Sequence, residues 1–470
     1  MKNSLVFSAL FLSVMILSGD VYADDKKIEK SESVVEISNS CNISKDVSKD
    51  ALTLADIIEL AMCNNSSTRQ AWLYAKVGDT AYKRSLAAYY PQISASAGYQ
   101  KSKTNNYTMD RDNPDSSIHK DGNASISLSW LLYDFGKREA NVEKTFQAMN
   151  SLSFQYNNTL QTVAYNAIVA YYDALSAVEE LAAVKANEEA SLKSFELASK
   201  KFELGMSSKA AKLQAETAYG QAQLDTTKQE FVVINKNANL AKILGLSPSK
   251  EIKLATTFFE NASDDLIDKS VGELVQTALE KRPDLLSKVA DVKSSYASVR
   301  AASATFFPTI SAYGSKSWDD ITHPRIGDLD KDTDGYSVGV KLSVPIFTGF
   351  ENTYSLKNAK YQYAADKEAL ASLESDVELS VVNSYNGYKT SVKSLSIAKK
   401  LFESALENER VALGSFQAGK GDIISLMEAQ SRLLEARKEL IAAQYGVYTS
   451  RVALLKAVGE LNLQQLGELK

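Results

Sequence analysis

The chain has 470 residues, 44% of them hydrophobic and 24% charged, which is enough apolar material for a large folded core and too much for a disordered chain. Two histidines and two cysteines leave no ligand set for a zinc site of the usual Cys/His kind, and a net charge of −5 with Lys and Arg scattered along the chain excludes a basic stripe for nucleic acid. Seven prolines and 21 glycines are few for this length and favour long uninterrupted helices over a turn-rich β-sandwich.

At the N-terminus Lys2 precedes an apolar run from Leu5 to Leu17, and Val21-Tyr22-Ala23 stands before Asp24 and Asp25. This order of charge, apolar stretch and small residue is that of a signal peptide, residues 1–23, cut after Ala23. The alternative is an uncleaved anchor, for which the run is short of the ~20 residues that span a bilayer. No cysteine stands at the cut to carry a lipid, and no later stretch approaches a transmembrane helix, so a membrane role for the mature chain requires β-strands. Export also changes the reading of Cys41 and Cys63. In an oxidising compartment an even pair forms a bridge, here tying the arm at 24–53 to the helix that starts near Leu54 and contributing roughly 3 kcal/mol, or else it remains as two reduced thiols.

The chain repeats itself. Leu54, Ala61, Tyr90 and Pro91 match Val271, Ala278, Phe307 and Pro308 at an offset of 217 residues. After one gap the offset becomes 214, pairing Tyr171 with Tyr385, Phe202 with Phe416, Gly205 with Gly419 and Gly245 with Gly459. Such a period is a duplicated domain, since solenoid repeats run to about 20–50 residues. The first repeat, 54–246, is expected to hold helices over 54–90, a hairpin at 91–133, a long helix at 137–204, a turn at 205–208 and a returning helix at 209–245. After a connecting segment at 247–270, the second repeat, 271–461, holds helices over 271–307, a hairpin at 308–347, a long helix at 351–418, a turn at 419–422 and a returning helix at 423–459. Residues 462–470 form a tail.

Within each hairpin apolar and polar residues alternate. Ile93, Ala95, Ala97 and Tyr99 interleave with Ser94, Ser96 and Gly98, and Ala124, Ile126, Leu128 and Trp130 interleave with Ser125, Ser127 and Ser129. The second half repeats this in Tyr336, Val338, Val340, Leu342 and Val344. These are strands of about ten residues, joined by polar loops at 104–121 and 319–334 that contain His119 and His323. No glycine or proline interrupts 137–204, so one helix of nearly seventy residues is allowed, ~100 Å long at 1.5 Å per residue. Ala164, Ile168, Tyr171, Leu175 and Val178, and in the second half Val381, Tyr385, Tyr388, Val392 and Leu395, form heptad seams that require lateral helix partners.

The helices alone would suit a coiled-coil rod as well as a pore. The strands, with Tyr99, Trp130, Tyr133, Trp318, Tyr336 and Phe347 near their ends, suit a membrane barrel with aromatic girdles. Four strands cannot close one, and open edges in lipid cost several kcal/mol per unpaired group, so a barrel requires other copies of the chain; three give twelve strands.

In the order and spacing of its parts the chain resembles the TolC-like outer-membrane efflux and secretion ducts. The parts are the tandem halves, Tyr90-Pro91 and Phe307-Pro308 before the hairpins, Leu132-Tyr133-Asp134-Phe135-Gly136 and Ile346-Phe347-Thr348-Gly349 after them, and Lys201-Phe202-Glu203-Leu204-Gly205 with Ser415-Phe416-Gln417-Ala418-Gly419 before the turns. The resemblance implies a mainly α fold with a small β part: a tandem-duplicated long-helix coiled-coil tunnel, plus two β-hairpins, four strands per chain, that form a shared twelve-strand trimeric barrel. It also implies that the tips, Gly205, Met206, Ser207 and Ser208 with Gly419 and Lys420, contact a periplasmic adaptor protein, while helix capping alone accounts for the polar residues there. In that family acidic side chains after the second turn narrow the closed entrance. Glu428 falls at the inner acidic position, Ser425 stands at the outer one, and Asp422 on the turn is the substitute. Ala211 stands where the first turn usually offers an acidic partner.

The function so implied is a passive exit duct in the outer membrane that spans the periplasm. It would be a homotrimer in contact with outer-membrane lipid, served by an adaptor and by an inner-membrane ABC or proton-driven transporter, in type I secretion or multidrug efflux. No cofactor and no catalysis are expected, because no nucleophile, base and orienting group recur in a recognisable arrangement. The rival reading is a structural protein, a trimeric helical stalk.

Overall fold

The computed structural model describes residues 51–106, 115–250, 252–255, 270–323 and 329–461. Cys41, the expected signal peptide and the expected tail lie outside them. The first half consists of α1 (Leu54–Asn64), α2 (Ser66–Leu86), β1 (Gln92–Asn106), β2 (Asp115–Tyr133), α3 (Lys137–Glu203) and α4 (Lys209–Ile243). The second repeats the order as α5 (Val271–Lys281), α6 (Pro283–Ala304), β3 (Thr309–His323), β4 (Leu329–Ser343), α7 (Glu351–Gln417) and α8 (Ile423–Val458). Among the described residues no helix is long and apolar enough to cross a membrane.

The duplication persists in bonds that the sequence comparison alone does not reveal. Both halves open on a reciprocal cap: the Asp56 N–H donates to the Thr53 hydroxyl while Asp56 accepts from the Thr53 N–H, and Glu273 and Ser270 do the same. At the break after α1 the Asn65 amide donates to the Ile243 carbonyl at 2.9 Å, and at the equivalent break Arg282 donates to the Ala457 carbonyl at 3.1 Å. Cys63, near the end of α1, is disulfide-bonded.

Two compact units are present. One contains Trp72–Gln155 and Pro283–Ser375, and so holds the sheet; the other holds the remaining described residues, including both helix turns. In the second unit Leu54, Ile57, Ile58, Leu60 and Ala61 of α1 pack with Val163, Ala164, Ala167, Ile168 and Tyr171 of α3 and with Leu240. Each fully buried Leu or Ile there stabilises by about 1.5–3 kcal/mol, and the interleaved alanines let backbones approach. The expected seam holds through Leu175 and then slips. Val178 is 43% exposed and Ala177 is buried in its place, because an α-helix of 3.6 residues per turn drifts about 20° per heptad away from a strict 3.5 repeat. In the second half Val381 and Tyr388 are buried, while Tyr385, Val392 and Leu395 are half-buried.

The sheet is antiparallel in the order β1-β2-β3-β4. Its strands have 15, 19, 15 and 15 residues, longer than the ten expected. The described residues of the stretches expected as loops at 104–121 and 319–334 are strand, and His119 and His323, expected in loops, stand in β2 and β3. Unbroken pairing from Gln92↔Ser129 to Asn106↔Asp115 satisfies the backbone where side-chain alternation has lapsed, so the polar ends stay extended. At the exit of β2, Arg138 gathers the carbonyls of Leu131, Leu132 and Ala88 at 2.8–3.3 Å and stacks its guanidinium 4.4 Å from the Tyr89 ring. Asp134 caps α3 through the Arg138 N–H at 2.7 Å.

Candidate functional site

Both helix turns end on glycine in the left-handed region, Gly205 at φ +69° and Gly419 at φ +75°, where a Cβ would be strained. Each closes a Schellman pair: the Met206 N–H reaches the Lys201 carbonyl at 2.8 Å and Gly205 reaches Phe202, while Lys420 reaches Ser415 at 2.9 Å and Gly419 reaches Phe416. The returning helices are capped in parallel fashion, α4 by Ser208 accepting from the Ala211 N–H at 3.2 Å and α8 by Asp422 accepting from the Ser425 N–H at 2.8 Å. Leu204 and Met206 are 74% and 71% exposed, so the first turn presents an apolar tip and the second presents Lys420.

Beneath the turns Ala198, Ala215, Phe416, Ile423 and Leu426 form one buried cluster that joins the two repeats. Two further links complete it. The Lys201 ammonium donates to the Phe416 carbonyl and stands 4.2 Å from its ring centroid, which places a cation at the carbonyl end of α7 and over a π face. The Gln430 amide donates to the Ser194 hydroxyl at 3.0 Å between buried side chains. Sequence reasoning took Lys201 only as part of the motif before the first turn and passed over Gln430. No local signal singled them out, since Lys201 faces Ser415 in a motif of which only the Phe and the Gly are shared between the repeats.

The three candidate constriction residues are not alike. Asp422 is fully engaged: its second oxygen accepts the Ser425 hydroxyl at 3.0 Å, so Ser425, expected to stand at an outer constriction position, serves the cap. The Ser425 backbone N–H, and then its hydroxyl, hold the Asp422 carboxyl below its ordinary value. Glu428 is exposed on α8, shares a helix face with Ser425 and with Arg432 one turn further on, and makes no ion pair among the described residues. Of the three, Glu428 is the free carboxylate.

Because the folded-state pKa of Asp422 is depressed, its capping contribution is present above the ordinary carboxylate range and is lost as pH falls through the depressed value. Amide exchange over 419–430, corrected for intrinsic rates, is therefore expected to rise as pH falls below about 4. Asp422→Asn keeps the acceptor and should abolish that dependence while leaving neutral-pH exchange near that of the parent. An unchanged acid response in Asp422→Asn would show that another group carries it.

The protein family described as "Outer membrane efflux protein" matches residues 57–246 and 274–460, one match on each half. Protein CyaE of Bordetella pertussis is 24% identical over 417 residues, covering 88% of this chain and 85% of that protein. Outer membrane protein TolC of Vibrio cholerae is 24% identical over 425 residues, covering 88% of this chain and 92% of its own length. Among solved structures, the Campylobacter jejuni CmeC outer membrane channel superposes with a TM-score of 0.77 at 17% identity over 88% of each chain, a likeness of fold. With tandem helical halves, a four-stranded sheet and a family match on both repeats, the chain belongs to the outer membrane efflux protein family and is an outer-membrane channel of that family.

Proposed function

We propose that three copies join their sheets into one twelve-strand barrel in the outer membrane, and that the channel is the passive exit duct of a tripartite system for type I protein secretion or multidrug efflux. The observation that carries this reading is the sheet itself. Among the described residues it leaves β1 and β4 as unpaired edges, and it carries apolar residues on one face and serines on the other. An open edge does not persist in lipid, and pairing β4 of one copy with β1 of the next removes every edge at once. The apolar face bears Ile93, Ile126, Val338, Val340 and Leu342, all exposed in the single chain and suited to lipid. Lys316 lies on that face but pairs with Asp334 and sits 5.7 Å from the Trp318 ring, as a lysine does near a membrane interface.

In this reading Gly205, Met206, Ser207 and Ser208, with Gly419 and Lys420, form the tips that an adaptor protein meets, and an inner-membrane ABC or proton-driven transporter supplies the energy. Three copies of Glu428 ring the closed entrance. Cys63 pairs with Cys41. No residue acts as a catalyst. Conductance in planar bilayers, together with heat-modified mobility of the detergent-extracted protein, tests the reading. A helical stalk of the cell envelope would show neither.

A further inference from the structure

The serine face of the sheet contains two bulky side chains that do not project freely. Directly paired residues form continuous rows across all four strands: Ser94, Ser127, Ser315 and Ser337 make one, and Ser96, Ser125, Ser317 and Gly335 make the next. Hydroxyls bond along them, Ser94 with Ser127 at 2.7 Å and Ser315 with Ser337 at 2.8 Å. The following row, Gln92, Ser129, Tyr313 and Gly339, brings in an aromatic ring. That ring lies across β4 on Gly339: a Cβ built there would stand 2.7 Å from the Tyr313 hydroxyl oxygen and 2.8 Å from Cζ. One row beyond the serines, Asn123 is folded over its paired residue in the same way, its Oδ1 2.6 Å from where a Gly98 Cβ would be.

We infer that Gly339 sets the bore of the barrel by giving the Tyr313 ring a place flat against the wall. The inference rests on the proposed barrel, in which the serine face lines the lumen. Gly98 serves Asn123 in the same manner. On the lumen face the two rows between Gly98 and Gly339 are then lined by serines and a glycine alone, with Asn123 and Tyr313 laid on glycines at either side of them, while Asp319 in the Asn123 row and Lys341 one row beyond Tyr313 bring charge to the same face. That serine band excludes by size and itself offers a passing solute no charge and no apolar anchor. Any side chain at 339 lifts the ring off the wall, because the contacts lie inside van der Waals range and the ring is the part free to move.

The test uses the full-length protein in intact cells, with a single cysteine introduced at Ser343. Ser343 lies on the lumen face of β4, farther than Tyr313 from the strand ends at Asn106 and His323. A small membrane-impermeant methanethiosulfonate and a bulky polyethylene-glycol maleimide are applied from outside, and the parent chain serves as the background for the native cysteines. Gly339→Val should slow the bulky reagent several-fold and leave the small one unchanged, and adding Tyr313→Ala should restore the rate. Gly335→Val, which adds the same bulk on the same face where a Cβ meets only the Ser317 hydroxyl at 3.6 Å and no ring is displaced, should have little effect. An unchanged rate in Gly339→Val, or a slowing that Tyr313→Ala does not relieve, overturns the role of Gly339. Labelling of Val340→Cys, on the opposite face, with none at Ser343→Cys would instead reject the barrel on which the inference rests.

Discussion

Removal of residues 91–133 is expected to abolish both trimer formation and outer-membrane insertion. The deletion takes out β1 and β2, which pair along their lengths, and leaves β3 and β4 as a lone hairpin. Three such hairpins supply half of the twelve strands. They also lose one of the two edges through which copies join, and unpaired backbone groups in hydrocarbon cost several kcal/mol each. The helices should still fold, since the buried cluster around α1, α3 and Leu240 lies in the other unit. Membrane fractionation and light scattering in detergent read the outcome, with the intact chain expected as a trimer. A stable folded monomer of the intact chain would overturn the assembly.

Glu428→Ala is expected to remove most of the cation preference of the channel and to weaken block by trivalent cations several-fold, with trimer assembly unchanged. In the proposed trimer three copies of Glu428 would ring a narrow bore and focus potential where screening is weak, and the structure leaves Glu428 without an ion pair among the described residues whereas it binds Asp422 into a cap. Arg432, one turn along the same face, tempers the ring, so Glu428→Lys should reverse the preference outright. Asp422→Asn, which preserves the cap, should behave like the parent. If instead Glu428→Ala matches the parent and Asp422→Asn loses selectivity, the constriction belongs at the turn and the assignment to Glu428 is wrong. With a serine at 425 in place of a second carboxylate, block should strengthen in Ser425→Asp, which adds a second acidic ring.

Much of this protein is legible in its sequence because its dominant signals are local and periodic. The absence of glycine and proline between Gly136 and Gly205 bounds α3, Ser208 and Asp422 mark the caps of α4 and α8, and two-residue alternation marks the strand centres. The duplication is legible for the same reason, since a motif can be compared with itself without knowing what it touches. The free state of Glu428 was not legible: whether Asp422 or Glu428 offers a charge depends on the hydroxyl and N–H of Ser425, three residues from the one and three from the other.

Tertiary structure decided whatever depends on which residue stands opposite which. The polar ends of the strands carry no alternation to read, yet register with a partner keeps them extended to Asn106 and His323. Lys201 meets Phe416, and Gln430 meets Ser194, across separations of 215 and 236 residues. Tyr313 finds Gly339 only because β3 and β4 pair in that register; a slip of one residue would turn the ring against a Cβ and send the serines to the lipid face. Periodicity in a sequence specifies the face on which a residue lies. The neighbour it meets there is set by packing between elements, a pairwise property that no single segment contains.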